Sequence, residues 1–306
     1  MRLVFAGTPD AAVPTLHRLA SDHDVAAVIT RPDAPLGRKR VLTPSPVARA
    51  ADELGIPVFK AARLDDEVTQ RIAALRVELG VIVAYGGLVR EPLLSTPTAG
   101  WINLHFSLLP EWRGAAPVQR ALIAGDARLG ASVFQLVPAL DAGDVFASRA
   151  FDLPEGATAD VALRTLAEAG AELTAEVVSG IADGTAIAEP QQGEPSYAAK
   201  LTLEDGVLDW SQPLEAVFAR FRGVTPEPGA HTTIDGQRLK ILEAVPALDA
   251  EPLPSGHITG TKSAVLIGTA TSPLAVTRVQ PAGKGAMHAA DWWRGQRAAE
   301  GLRAGS

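Results

Sequence analysis

The 306-residue chain contains no cysteine. That removes disulfides, thiolate nucleophiles and cysteine-ligated zinc together, and it suits a reducing compartment, so a cytoplasmic location is expected. Long hydrophobic runs are missing as well. Gly, Pro or a charged residue interrupts every apolar stretch before it reaches the ~18 residues of a membrane-spanning helix, and no membrane partner is expected. The first residues carry one Arg, a short apolar run and then Gly7-Thr8-Pro9-Asp10, which turns acidic too soon for a signal peptide and reads instead as a first strand. Of the six histidines, no two stand three, four or five residues apart, so the helical spacings that put two imidazoles on one metal are absent and no metal is expected. Positive charge is in deficit, at −7 net, which argues against indiscriminate nucleic-acid binding. The deficit is uneven: residues 1–206 hold 18 basic and 26 acidic side chains, the remainder 10 and 9. An RNA partner would have to be met by local patches.

What is present is an ordinary globular composition, 47% apolar and 21% charged, long enough for two domains. Apolar strands alternate with helical segments from the N-terminus. Arg2–Ala6 and Asp24–Thr30 read as buried strands with a helix over 10–19 between them, Asp10 standing near its N-cap. A Pro-rich basic loop over 31–46 precedes helix 47–54, a short strand 56–59, helix 65–75 and strand 80–84. Residues 100–105 alternate, which puts Ile102 and Leu104 on one face and Asn103 and His105 on the other. After a loop at 106–114, helix 116–124 ends at Gly125, strands 131–137 and 145–151 flank the turn Leu140-Asp141-Ala142-Gly143-Asp144, and a long helix covers 158–178. The pattern predicts an open, mostly parallel α/β sheet over residues 1–189.

Residues 190–206, polar and rich in Pro, Gly and Gln, read as a linker that wraps back over the first domain. Beyond it, residues 207–306 carry five short β-like runs, at 231–234, 238–245, 257–261, 264–268 and 274–280, which suit a smaller antiparallel barrel.

The residues best placed for chemistry are Asn103, His105 and Asp141. An amide can donate to a developing oxyanion, an imidazole can move a proton near neutral pH, and a carboxylate can orient that imidazole and stabilise its cation. Such a set suits acyl or formyl transfer, although a strand-edge Asn and His also serve simply to satisfy loop backbone. The loop Phe106-Ser107-Leu108-Leu109-Pro110-Glu111-Trp112-Arg113-Gly114 that follows can wall a flat ligand, or be an ordinary connection with Trp112 covering core.

Asn103-Leu104-His105-Phe106-Ser107-Leu108-Leu109-Pro110, Trp112-Arg113-Gly114-Ala115-Ala116-Pro117 and Leu140-Asp141-Ala142-Gly143-Asp144, in this order and spacing, resemble the signature of formyltransferases that use 10-formyltetrahydrofolate. Phe5-Ala6-Gly7-Thr8-Pro9-Asp10, Arg31-Pro32-Asp33, Ser196-Tyr197-Ala198-Ala199-Lys200-Leu201 and Gly283-Lys284-Gly285-Ala286-Met287 extend the likeness end to end, to the methionyl-tRNA formyltransferase family. The resemblance implies a Rossmann-like catalytic domain without a dinucleotide fingerprint, an OB-like C-terminal domain that helps hold tRNA, and formyl transfer to methionyl initiator tRNA for translation initiation. Asn103, His105 and Asp141 would be catalytic, with His105 protonated, and Ser107, Leu108, Leu109 and Pro110 would contact tetrahydrofolate. Arg38, Lys39 and Arg40, otherwise a solvated basic run, would contact tRNA phosphates. A monomer is the default expectation.

Two departures stand out. Leu129-Gly130-Ala131-Ser132 has one hydroxyl where the family usually has two, and Gly87 stands where a bulkier residue is usual. Three competing functions share parts of this reading: a sugar-nucleotide N-formyltransferase, a formyltetrahydrofolate hydrolase and a noncatalytic RNA-binding module.

Overall fold

The computed structural model describes residues 1–37, 40–126, 128–296 and 301–306, in two compact units. The first comprises Met1–Pro117, Arg128–Asp152 and Leu163–Ala198; the second comprises Val118–Ala127, Leu153–Ala162 and Ala199–Ser306.

A seven-stranded sheet forms the first unit. Its strands are β1 (Arg2–Gly7), β2 (Asp24–Thr30), β3 (Val58–Lys60), β4 (Leu79–Val83), β5 (Trp101–His105), β6 (Leu129–Gln135) and β7 (Val145–Phe151), in the order β7-β6-β5-β4-β1-β2-β3. The five from β3 to β5 run parallel, and β6 and β7 each run antiparallel to the neighbour before them. β1 and β4 are buried almost throughout, as the interior strands of a sheet covered on both faces must be. Trp101, fully buried, lies flat against β4, where a Cβ on Gly80 would fall 2.2 Å from its ring; only glycine fits there.

Local chemistry sets the helix starts. Ser45 caps α2 (Pro46–Glu53) by accepting from the Ala48 N–H at 3.0 Å, and Asp65 caps α3 (Asp66–Leu75) by accepting from Val68 at 3.2 Å. Asp10 makes no such cap. Residues Asp10–Ala12 form a 3-10 turn, and α1 runs over Val13–Asp22 with Pro14 in its first turn. A helix from Asp10 would put the Pro14 ring against the Asp10 carbonyl, four residues earlier, so the α-helix starts where proline is tolerated. Past Thr30, Ala34–Leu36 and Val41–Thr43 pair as a small hairpin. The segment read as linker also carries structure: Tyr197–Ala198 pairs in parallel with Arg113–Gly114.

The second unit holds a curled antiparallel sheet. Its strands β8 (His231–Ile234), β9 (Gln237–Pro246), β10 (Ile258–Gly260), β11 (Val265–Ile267) and β12 (Leu274–Pro281) lie in the order β8-β9-β12-β11-β10, with β13 (Met287–His288) also on β12. Trp210, Leu214, Val217, Phe221, Ile241, Val265 and Leu274 fill its core. The helix Leu214–Val224 packs closely on residues 119–123 of the same unit, because Gly223 has no side chain to hold them apart. No helix among the described residues is long and apolar enough to cross a membrane.

Candidate active site

Strand alternation separates the two faces of β5. Leu104 packs against the long helix Ala159–Ala182, where a Cβ on Gly170 would lie 2.9 Å from the Leu104 side chain, so the face carrying Asn103 and His105 is turned away from that helix. β6 supports that face in register, Asn103 opposite Phe134 and His105 opposite Ser132. The Phe134 ring meets the His105 imidazole edge-on, centroids 6.4 Å apart.

His105 is only 6% exposed. Its Nε2 stands 2.9 Å from the Trp112 carbonyl, which can only accept, so Nε2 carries hydrogen and donates. Nδ1 faces the Asp141 carboxylate at 3.9 Å, beyond direct hydrogen-bond reach. The same carboxylate oxygen accepts from the Gly114 N–H at 2.7 Å. Both groups facing the imidazole come from residues held in left-handed backbone, Trp112 at φ +58° and Asp141 at φ +45°. For a bulky residue such as Trp112 that conformation is a genuine outlier, of the kind that surrounding structure enforces at functional sites. Gly114, at φ +122° with the Ala198 carbonyl 2.8 Å from where a Cβ would sit, is glycine by necessity, and its amide is thereby free to approach Asp141.

Burial pushes His105 below its ordinary value of 6.5, outweighing Asp141 and the Trp112 carbonyl, which both favour the cation. Near neutral pH the resting imidazole is therefore neutral, its Nε2 hydrogen engaged by Trp112 and its Nδ1 lone pair on the side of Asp141. Asn103 completes the set. Its Oδ1 is buried without a hydrogen-bond partner among the described residues, an arrangement that costs free energy unless a ligand supplies the partner. Amide oxygen and nitrogen are assigned from their hydrogen-bond network, and a half-turn presents N–H in the same place.

The loop after β5 is fastened from below. Ser107 donates from Oγ to the Glu111 carbonyl at 2.6 Å, while Ser132 Oγ donates to the Ser107 carbonyl at 2.8 Å and accepts from the Leu109 N–H at 3.1 Å. With its one hydrogen so used, Ser132 must accept from Ser148, 2.7 Å away. This single hydroxyl thus fixes Ser107–Leu109 where the family pattern usually has two. Leu108 lies over Gly130, where a Cβ would fall 2.4 Å from its side chain, and Pro110 is buried. At the other departure, a Cβ on Gly87 would come within 2.5 Å of the Tyr85 ring, whose hydroxyl is tied to the Ala61 carbonyl, so a larger residue there requires Tyr85 to move.

The structure thus brings His105 and Asp141 together, with Asn103 on the same strand face and loop 107–110 immediately following. Arg40 is exposed on the separate hairpin, with φ +50°; Arg38 and Lys39 lie outside the described residues. Three contributors escaped the sequence reading: the Trp112 carbonyl, Gln191 and Ser196. The last two lie in the segment read as linker. Ser196 accepts from the Trp112 N–H at 2.8 Å, and Gln191 bridges Arg113 and the Asp141 turn. Among the described residues no cluster of three or more His, Asp or Glu side chains is arranged to hold a metal ion.

An imidazole, a carboxylate and an amide oxygen without a partner among the described residues thus lie beside a loop that Ser132 fastens, a set of groups suited to group transfer. Residues 1–178 match the formyl transferase family and residues 200–297 the formyl transferase C-terminal domain, and the chain belongs to the formyl transferase family. It is similar over nearly its whole length to methionyl-tRNA formyltransferases: 61% identical to that of Clavibacter sepedonicus over 96% of this chain and 97% of the relative, and 49% identical to that of Thermobifida fusca over 100% and 99%. Two solved structures share the fold. WlaRD, a sugar 3N-formyl transferase, aligns at TM-score 0.70 and 13% identity over 93% of this chain and 99% of its own. HypX from Aquifex aeolicus aligns at TM-score 0.69 and 18% identity over 95% of this chain, which spans only 48% of HypX.

Proposed function

We propose that the protein transfers the formyl group of 10-formyltetrahydrofolate, a co-substrate, to the α-amino group of methionyl initiator tRNA for translation initiation. The observation that carries this reading is the pairing of buried His105 with Asp141 beside the unpaired amide of Asn103, in a chain 61% identical to a methionyl-tRNA formyltransferase along its length.

The balance of the reaction is simple. The C–N bond between formyl carbon and folate nitrogen breaks, an amide C–N bond to methionine forms, and one proton moves from the attacking amine to the departing nitrogen. Asn103 donates to the oxygen that becomes negative as the amine adds, an interaction worth about 2.7 to 4 kcal/mol per donor in oxyanion sites. Neutral His105 takes the amine proton on Nδ1, and the imidazolium so formed is stabilised by Asp141 on one side and the Trp112 carbonyl on the other. Its depressed basicity then favours handing the proton on. Ser107, Leu108, Leu109 and Pro110 hold the tetrahydrofolate against a loop that Ser132 has already fixed, which limits the ordering cost of binding.

Arg38, Lys39 and Arg40 make phosphate contacts to the tRNA. The curled antiparallel sheet of residues 207–306 serves as an OB-like tRNA-binding domain, joined by residues 190–206 to a Rossmann-like catalytic domain of residues 1–189. The protein works as a monomer, and in the cytoplasm, a reducing compartment that suits a chain without cysteine.

Steady-state assays with labelled formyl donor and three conditions test the reading: methionyl initiator tRNA, methionyl elongator tRNA and no acceptor. Formylation of the initiator in preference to the elongator is expected. Formate release without an acceptor, or transfer only to an amino sugar nucleotide, overturns it.

A further inference from the structure

Gln191 stands among linker residues, yet its side chain makes more of the site's internal bonds than any residue of the expected trio. Arg113 grips its Oε1 with two guanidinium N–H groups, at 3.2 Å from Nε and 2.6 Å from the terminal nitrogen. Because that fork can only donate, the amide oxygen must face Arg113 and the NH2 must face away. The NH2 then donates to the carbonyls of Asp141 and Gly143, both at 2.8 Å. These carbonyls bracket the left-handed turn that aims the Asp141 carboxylate at His105. Gly143 leaves the turn no slack, since a Cβ there would fall 1.8 Å from the Gln135 carbonyl. Gly114 donates to the carboxylate from the residue next to Arg113, so the pair Arg113-Gly114 holds Asp141 twice, once directly and once through Gln191.

Resting on the formyl-transfer reading above, we infer that Gln191 is a positioning residue for that reaction: oriented by Arg113, it fixes the backbone of the Asp141 turn and thereby the place of the carboxylate opposite His105. Its effect falls on the rate of the chemical step, and passes through Asp141.

Gln191→Glu separates the two halves of its bonding, because a carboxylate still accepts from Arg113 but donates nothing to the two carbonyls. A misplacement of the order of 1 Å costs about 100-fold in rate. Gln191→Glu should therefore lower kcat by roughly 10- to 100-fold while the KM for each substrate stays within about twofold. The decisive comparison is a double-mutant cycle with Asp141→Asn: if Gln191 acts through Asp141, the double variant is no slower than Asp141→Asn alone. Where Gln191→Glu does not fold, Gln191→Met carries the same cycle, and binding of tetrahydrofolate by fluorescence shows which variants are intact. A kcat within twofold of wild type, or losses that multiply in the double variant, overturns the inference while wild-type activity leaves the function standing. Wild-type protein that formylates no acceptor overturns the function itself.

Discussion

Asp141→Asn is the substitution whose consequence is best determined by the geometry. The two side chains are nearly isosteric, and an amide oxygen still accepts from the Gly114 N–H, so the turn is kept and only the charge is lost. That charge lies 3.9 Å from His105 Nδ1, and the two side chains are 6% and 12% exposed, so solvent screens it little. Two unit charges at about 4 Å interact by about 4 kcal/mol at an effective dielectric near 20. The resting imidazole is neutral and gains little from this term; the imidazolium formed as it accepts the amine proton gains all of it. The loss therefore falls on the transition state, and about 4 kcal/mol corresponds to nearly three powers of ten in rate. Single-turnover formyl transfer with both substrates saturating should be slower by roughly a thousandfold, with KM for tRNA unchanged within about twofold. An intact Asp141→Asn variant that retains more than a tenth of wild-type turnover refutes this reasoning.

Three further outcomes are expected. Ser132→Ala deprives the Ser107 carbonyl and the Leu109 N–H of their shared partner, so urea denaturation should show a loss of about 1–3 kcal/mol and steady-state kinetics a raised KM for the folate, with the KM for tRNA little affected. Burial holds His105 below its unfolded value, so below pH 6.5 the unfolded chain binds a proton the folded one refuses; thermal stability should fall as pH drops from 7.5 to 5.5, and less steeply in His105→Gln, the remaining slope including His23, which is shifted in the same direction by the same cause. Arg38→Ala with Lys39→Ala should raise KM for tRNA and flatten its dependence on salt by about two phosphate contacts, leaving tetrahydrofolate binding intact by fluorescence titration.

The parts of the fold legible in the sequence were those governed by local pattern. Asp24–Thr30 and Val145–Phe151 read as the strands they form, the first because it is an apolar run between charged residues and the second because it follows the glycine-containing turn at 140–144. The helix starts were legible where a capping side chain announces them, as at Asp65, and misread at Asp10, where Pro14 governs instead. The site divides in the same way. Alternation along residues 101–105 puts Asn103 and His105 on one face without any knowledge of the fold, and Asp141 stands out as a carboxylate in a glycine-containing turn after another strand; the structure brings it opposite His105. The Trp112 carbonyl was not legible, since every residue has a carbonyl and only a left-handed φ aims this one at the imidazole. Gln191 was hidden by its setting: in a polar segment rich in Pro and Gly, an amide reads as solvated, and its partners lie 48 to 78 residues away. The resting charge of His105 is not legible in the sequence, because a neighbouring carboxylate can be inferred from a motif whereas the extent of burial that outweighs it cannot.

That Asn103, His105 and Asp141 act as one unit in formyl transfer is tested most directly by the single-turnover rate of the triple variant Asn103→Ala, His105→Gln, Asp141→Asn beside its three single variants, with methionyl initiator tRNA as acceptor. Groups that act together do not lose activity independently. The triple variant should transfer formyl within about tenfold of the slowest single variant. Losses that multiply across the three positions, or single variants that keep wild-type rates, would contradict the assignment.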